Sequence, residues 1–135
     1  MNTMTMQNPM LPLLGRILIG ALFVTAGVRK AMAIAATTGY FAKLGVPAPE
    51  IMAWVVVLIE VGGGLALILG WQTRLMAWVL AIFVAVATGL AHRFWEFDAA
   101  QYNAQLNNFL KNGAVIGGLL MFATYGPGSA SVDKR

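Results

Sequence analysis

A run of twenty residues, 51–70, constrains this chain more than any other feature. The run is apolar or small throughout except for one carboxylate, Glu60, which lies near its middle. About 20 apolar helical residues cross the roughly 30 Å hydrocarbon core of a bilayer. An ionised carboxylate at that depth is unfavourable by roughly 2.5–3.5 kcal/mol even on the gentler insertion scales. The run therefore predicts a membrane-spanning helix in which Glu60 faces the protein interior and not the lipid.

The composition supports a membrane protein built around that helix. Of 135 residues, 59% are hydrophobic and only 10% are charged, whereas charged residues make up about 25% of soluble domains. Four apolar runs predict helices at about 11–29, 51–69, 75–92 and 109–125. The expected fold class is all-α, an integral membrane four-helix bundle with a short amphipathic segment between its first and second helices. Residues 11–126 would form one transmembrane domain, with tails at 1–10 and 127–135.

Charge and reactive residues exclude several functions. The formal charge of +4 is scattered along the chain, which favours a lipid bilayer as partner and argues against nucleic acid. The chain has no cysteine and a single histidine, so we expect no metal site and no thiol chemistry of its own. The basic residues are balanced between the two faces, and the positive-inside rule therefore predicts no orientation.

Two charged residues on different helices lie at depths that allow them to meet. Four alternating helices place both termini at one side of the membrane, here called end A. A rise of 1.5 Å per residue puts Arg16 about 7–8 Å and Glu60 about 15 Å from end A. We therefore expect a direct or water-bridged ion pair between Arg16 and Glu60. It would be either a ligand site or a purely structural contact.

The opposite side, end B, collects a second set of polar residues. These candidates for ligand binding close the first and third helices and open the fourth: Lys30, His92, Asn108, Lys111 and Asn112. Together they could bind an anionic or carbonyl-bearing head group, such as a lipid phosphate or a quinone oxygen. Alternatively, they cap helices, reach toward lipid headgroups and hydrogen-bond between helices. His92 is either a proton relay or quinone hydrogen-bond donor, or an interfacial residue beside tryptophan.

Glycines predict where helices approach one another closely. Seven are assigned to helix packing: Gly20, Gly27, Gly62, Gly63, Gly64, Gly113 and Gly117. Gly113 and Gly117 form a GxxxG pattern, which favours close helix contact in membranes. A homodimer through these glycine faces is a further expectation.

Fragments along nearly the whole chain, from Leu14 to Asp133, resemble the DoxX family of small bacterial membrane proteins. The fragments are 15–16 (GR), 27–30 (GVRK), 44–49 (LGVPAP), 60–63 (EVGG) with Gly70 and Arg74, 92–95 (HRFW), 108–112 (NFLKN), 117–120 (GGLL) and 126–128 (GPG). This resemblance implies a four-helix bundle in the bacterial cytoplasmic (inner) membrane. It also implies kinship with the DoxD subunit of a thiosulfate:quinone oxidoreductase and with membrane partners of oxidative-stress enzymes.

Three functional hypotheses follow from these observations. The favoured one is an accessory subunit of a membrane redox system, with a redox-enzyme partner and a quinone as candidate cofactor. The second is a small proton-coupled transporter in which Glu60 exchanges its proton for cargo. The third is a structural membrane protein without a ligand. No catalytic residue can be named from the sequence, which leaves open whether the protein is an enzyme.

Overall fold

The computed structural model describes residues 8–134, and all of its regular elements are helical. The elements are α1 (Met10–Met32), α2 (Ile34–Lys43), α3 (Pro49–Leu69), α4 (Thr73–Ala91), a 3₁₀ turn (Phe94–Glu96) and α5 (Ala99–Tyr125). Most of the expected N-terminal tail, residues 1–7, lies outside the described residues. The all-α membrane class predicted from the sequence is confirmed.

Three helices in the described part of the chain are long and apolar enough to cross a membrane. They are Met10–Met32, Pro49–Leu69 and Thr73–Glu96, the last of which includes the 3₁₀ turn. The fourth expected helix, at 109–125, forms the second half of α5. That helix starts ten residues earlier than expected because Asp98 caps it, with its carboxylate accepting the backbone N–H of Gln101 at 3.1 Å. Its first half is rich in amides, so only its second half resembles a spanning segment.

The expected amphipathic segment between the first two spanning helices is a helix of its own. The backbone leaves helical geometry at Ala33 (φ −127°, ψ 48°), and α2 follows at once. The Thr37 hydroxyl donates to the Ala33 carbonyl at 3.0 Å, which secures this bend. None of the α2 residues is fully buried, as expected for a helix that lies along α3 at the membrane surface.

Small residues bring α1 and α3 into close contact. A Cβ atom on Gly20 would lie 2.7 Å from the Gly64 carbonyl oxygen, and one on Gly64 would lie 2.8 Å from the Gly20 carbonyl oxygen. Gly27 and Gly63 face equally close neighbours on α3 and α4. At Gly20, Gly27 and Gly64 no side chain larger than hydrogen fits between the α1 and α3 backbones, which explains these glycines.

Three of the glycines assigned to packing have no such neighbour. In the described part of the chain, no atom lies within 4 Å of the position a Cβ would take on Gly62, Gly113 or Gly117. Within the described chain these three glycines therefore do not contact a second helix, and their packing against another copy stays a prediction. They sit on outward faces of α3 and α5, where spacing alone cannot distinguish an internal contact from an external one.

The core lies between the α1–α3 pair and the α4–α5 pair. Its buried side chains come from all four long helices: Phe23, Leu67, Ala77, Leu80, Ala81, Val84, Leu119 and Ala123. Toward end B this packing gives way to a cavity.

Candidate functional site

A cavity of about 520 Å³ opens toward end B and is lined by α1–α5 and the α2–α3 connection. Its wall is mostly apolar, with a few polar side chains, as is usual for sites that hold small hydrophobic molecules. Several wall residues, including Leu22, Val55, Val86 and Leu90, are also exposed on the outer surface of the helices. The cavity wall therefore includes side chains that stay accessible at the surface of the described structure.

Five of the seven candidate ligand-binding residues line this cavity: Lys30, Glu60, His92, Lys111 and Asn112. Arg16 and Asn108 do not. The helices thus bring together most of the polar residues that the sequence assigned to end B and add Glu60 to them.

Glu60 is paired with Lys30 and not with Arg16. The Lys30 ammonium Nζ lies 2.8 Å from Oε1 of Glu60. Glu60 is buried, whereas the Lys30 side chain remains about one-third exposed (32%). Lys30 ends the first helix at end B and reaches back toward the carboxylate, so the buried charge is compensated at the cavity wall. The expected Arg16–Glu60 pair is therefore wrong.

Arg16 is fully buried at end A, and its side chain makes four hydrogen bonds to backbone carbonyls. Its Nη1 donates to Leu67 at 3.2 Å and Ile68 at 2.7 Å, Nε donates to Pro127 at 3.1 Å, and Nη2 donates to Ala130. The last carbonyls of a helix lack intrahelical partners and carry partial negative charge. The end of α3 therefore attracts this guanidinium more closely than Glu60, which lies about two turns further in.

The C-terminal segment, residues 126–134, is folded over Arg16 and is not a free tail. Both carboxylate oxygens of Asp133 accept backbone N–H groups at the start of α4, from Gln72 at 3.0 Å and Thr73 at 2.9 Å. Backbone bonds from Val132 and Asp133 to Leu69 and Gly70 add to this attachment. Asp133 therefore caps α4 from a distant position in the sequence.

Gly70 makes room for this arrangement. Its φ of +72° is the left-handed conformation that ends α3. A Cβ atom there would also lie 2.7 Å from the Arg16 guanidinium. Both reasons require glycine, and together they keep end A tightly closed.

The polar groups of the cavity at end B have specific partners. His92 Nδ1 lies 2.7 Å from the side-chain oxygen of Gln105. The Asn112 amide donates to the Thr88 hydroxyl at 2.9 Å, which ties α5 to α4. Lys111 also lines the cavity, and no contact pairs its ammonium with another group among residues 8–134.

Several residues of the site were missed at the sequence level. Tyr40 and Phe41 belong to the segment that was predicted only as amphipathic, yet both line the cavity. Gln105 and Thr88 had no assigned role, although they hold His92 and Asn112 in place. The amide-rich stretch before Asn108 was the available signal for Gln105, whereas nothing local marks Thr88 or Asp133.

Comparison with known proteins agrees with this architecture. The DoxX family model matches residues 11–93. The inner membrane protein YphA of Escherichia coli is 35% identical over 129 residues, covering 95% of this chain and 91% of YphA. The inner membrane protein YqjF of the same organism is 38% identical over 122 residues, covering 90% and 88%. No solved structure matches the chain significantly.

These relatives and the three apolar helices confirm the predicted location as a multi-pass protein of the bacterial inner membrane. The family match covers more than half of the chain, and both relatives are aligned over nearly all of it. The resemblance seen in the sequence is thereby confirmed, and the chain belongs to the DoxX family.

Proposed function

We propose that this protein is an accessory subunit of an inner-membrane redox system and that it holds a quinone-type lipid in the end-B cavity. The observation that carries this proposal is the cavity itself, about 520 Å³ of mostly apolar space with a few polar groups. Pockets of about 300–1,000 Å³ with this mixture suit small hydrophobic ligands. A quinone needs an apolar slot for its tail and hydrogen-bonding groups for its ring oxygens.

The exposed wall residues support a ligand that arrives through the lipid. Leu22, Val86 and Leu90 belong to the cavity wall and also face outward. A hydrophobic molecule can therefore enter sideways from the hydrocarbon, without crossing an aqueous channel. This route suits a membrane-dissolved cofactor better than a small inorganic anion.

The transporter alternative has less support. Alternating access requires that each end can open in turn. End A is closed by a fully buried Arg16 bound to four carbonyls. In addition, the Glu60 carboxylate already contacts Lys30 at 2.8 Å, so a cargo would have to displace that contact.

We also propose that α5 is the fourth membrane span, crossing through its apolar second half. Two buried residues on that half, Leu119 and Ala123, belong to the core formed with α4. A redox-enzyme partner and a homodimer stay predictions. The outward-facing Gly113 and Gly117 are where a second copy could approach closely.

The test is the intact mass of the native complex, purified in mild detergent and released by stepwise activation. We expect a bound quinone, together with a redox partner if the contact survives extraction. Ala87, on the cavity wall, offers a matched pair with Ala85, which is exposed on the same helix and is not part of that wall. Ala87→Phe should fill the cavity and remove the quinone, whereas Ala85→Phe should retain it. A homodimer carrying only phospholipid would contradict the proposal.

A further inference from the structure

The hydrogen bond made by His92 determines which of its ring nitrogens remains available in the cavity. Nδ1 lies 2.7 Å from Oε1 of Gln105. An amide oxygen only accepts hydrogen bonds, so Nδ1 carries the proton. A neutral imidazole has one N–H, and Nε2 is therefore an acceptor with a free lone pair.

We infer that the cavity prefers the reduced, dihydroxy form of a quinone-type lipid, with a ring hydroxyl donating to Nε2 of His92. This inference rests on the proposed function and specifies its ligand. The carbonyl oxygens of an oxidised quinone only accept hydrogen bonds, so they have no favourable contact with an acceptor nitrogen. A hydroquinone hydroxyl donates, and its oxygen still accepts.

The other polar groups of the cavity suit the same ligand. Glu60 supplies a second acceptor, although Lys30 already contacts it. Lys111 supplies ammonium donors that no described residue uses. A hydroquinone hydroxyl can donate to Nε2 of His92 and accept from Lys111. A quinone carbonyl can accept from Lys111 but leaves Nε2 without a donor.

Gln105 is a positioning residue in this arrangement. It acts on the ligand only by holding the proton on Nδ1 of His92. Its place on the polar first half of α5 depends on that helix starting at Ala99, and the Asp98 cap is what starts the helix there. Without Gln105, both tautomers of His92 become available, and Nε2 can carry the proton and donate to a quinone carbonyl.

The experiment compares the two redox forms of one ligand on the full chain. The protein in lipid nanodiscs is titrated anaerobically, at pH 8, with decylubiquinol and with decylubiquinone, and both dissociation constants are measured by calorimetry. One hydrogen bond gained predicts roughly three- to tenfold tighter binding of the reduced form.

Three variants separate positioning from general damage to the site. His92→Phe and Gln105→Leu should each bring the ratio of the two constants close to one. Gln101→Leu, an exposed change one turn away on the same helix, should leave the ratio at its wild-type value. Because the ratio is read within one preparation, loss of some folded protein does not alter it.

The outcomes distinguish this inference from the proposed function. Equal affinity for the two forms, or tighter binding of the oxidised form, overturns the inference and leaves a quinone site. If neither form binds, both the inference and the proposed function are overturned. A wild-type preference that survives in Gln105→Leu and in His92→Phe would also overturn the role given to His92.

Discussion

The two ends of this bundle use buried charge in opposite ways. At end A, Arg16 is fully buried and donates four hydrogen bonds to backbone carbonyls of α3 and the C-terminal segment. At end B, Lys30 and Glu60 pair at the wall of a large cavity, and Lys111 has no partner among the described residues. The hydrogen-bonded Arg16 stabilises the fold, whereas the charged groups that line the cavity at end B are available to a ligand.

The difference arises from what each helix end offers. The terminal carbonyls of α3 are neutral acceptors with a fixed direction, and a planar guanidinium with five N–H donors matches several of them at once. Lysine has a single ammonium on a flexible side chain, so Lys30 can contact Glu60 and still line the cavity. We therefore expect changes at end A to affect stability and changes at end B to affect mainly binding.

The largest expected effect is at Arg16. Arg16→Leu would remove four hydrogen bonds to backbone carbonyls, and each hydrogen bond to a charged group is worth about 1.5–3 kcal/mol. We expect almost no folded protein. The measurement is the monodisperse fraction after detergent extraction. Arg74→Leu is the matched control, because it removes a single exposed bond to Thr124, and it should extract like the wild type. A well-folded Arg16→Leu protein would contradict the account of end A.

The next effect concerns the Lys30–Glu60 pair. Lys30→Met leaves a buried carboxylate without its cation, which we expect to destabilise the fold by about 2 kcal/mol. This loss is smaller than the roughly 3–5 kcal/mol expected when one partner of a fully buried pair is removed, because Lys30 is partly exposed. Lys30→Met/Glu60→Leu should recover much of that loss. The check is the thermal midpoint of the wild type, Lys30→Met, Glu60→Leu and the double variant in the same detergent. A double variant no more stable than the worse single variant would show that the two side chains act independently.

A smaller effect is expected at the cap of α4. Asp133→Ala removes the acceptor for two backbone N–H groups, and loss of a cap typically costs about 1 kcal/mol. The thermal midpoint should fall by a few degrees, with binding of a quinone analogue unchanged. The neighbouring Lys134→Ala is the control and should have no effect. A changed ligand affinity in Asp133→Ala would mean that the two ends are coupled.

The smallest effect separates two asparagines one turn apart. Asn112→Ala removes the bond to Thr88 at the cavity wall, whereas Asn108 lies off that wall. We expect Asn112→Ala to lower quinone-analogue affinity severalfold and Asn108→Ala to leave it unchanged. Calorimetric titration in nanodiscs measures both. An equal loss of affinity in the two variants would mean that the ligand also contacts Asn108 and lies closer to end B than the cavity does.

The sequence predicted the helices better than the contacts between them. An apolar run of about 20 residues can form all of its backbone hydrogen bonds within a bilayer as a helix. The all-α membrane class therefore followed from composition and spacing. The start of α5 was misplaced because the Asp98 cap lies in a polar stretch where hydrophobic periodicity is absent. No other helix of the described chain approaches Gly113 or Gly117, and small residues permit close approach without specifying which helix approaches.

By itself, the sequence determined that Glu60 must face the protein and that Lys30, His92, Lys111 and Asn112 gather at one end. Helix length and alternation are sufficient for both, because the bilayer permits few alternatives. Only the tertiary structure decided the partners of Arg16 and Glu60. Depth along the membrane allowed those two residues to meet, but partner choice depends on helix rotation and on a C-terminal segment that returns from more than a hundred residues away. Such contacts leave no local pattern, since their atoms come together only when the chain has folded.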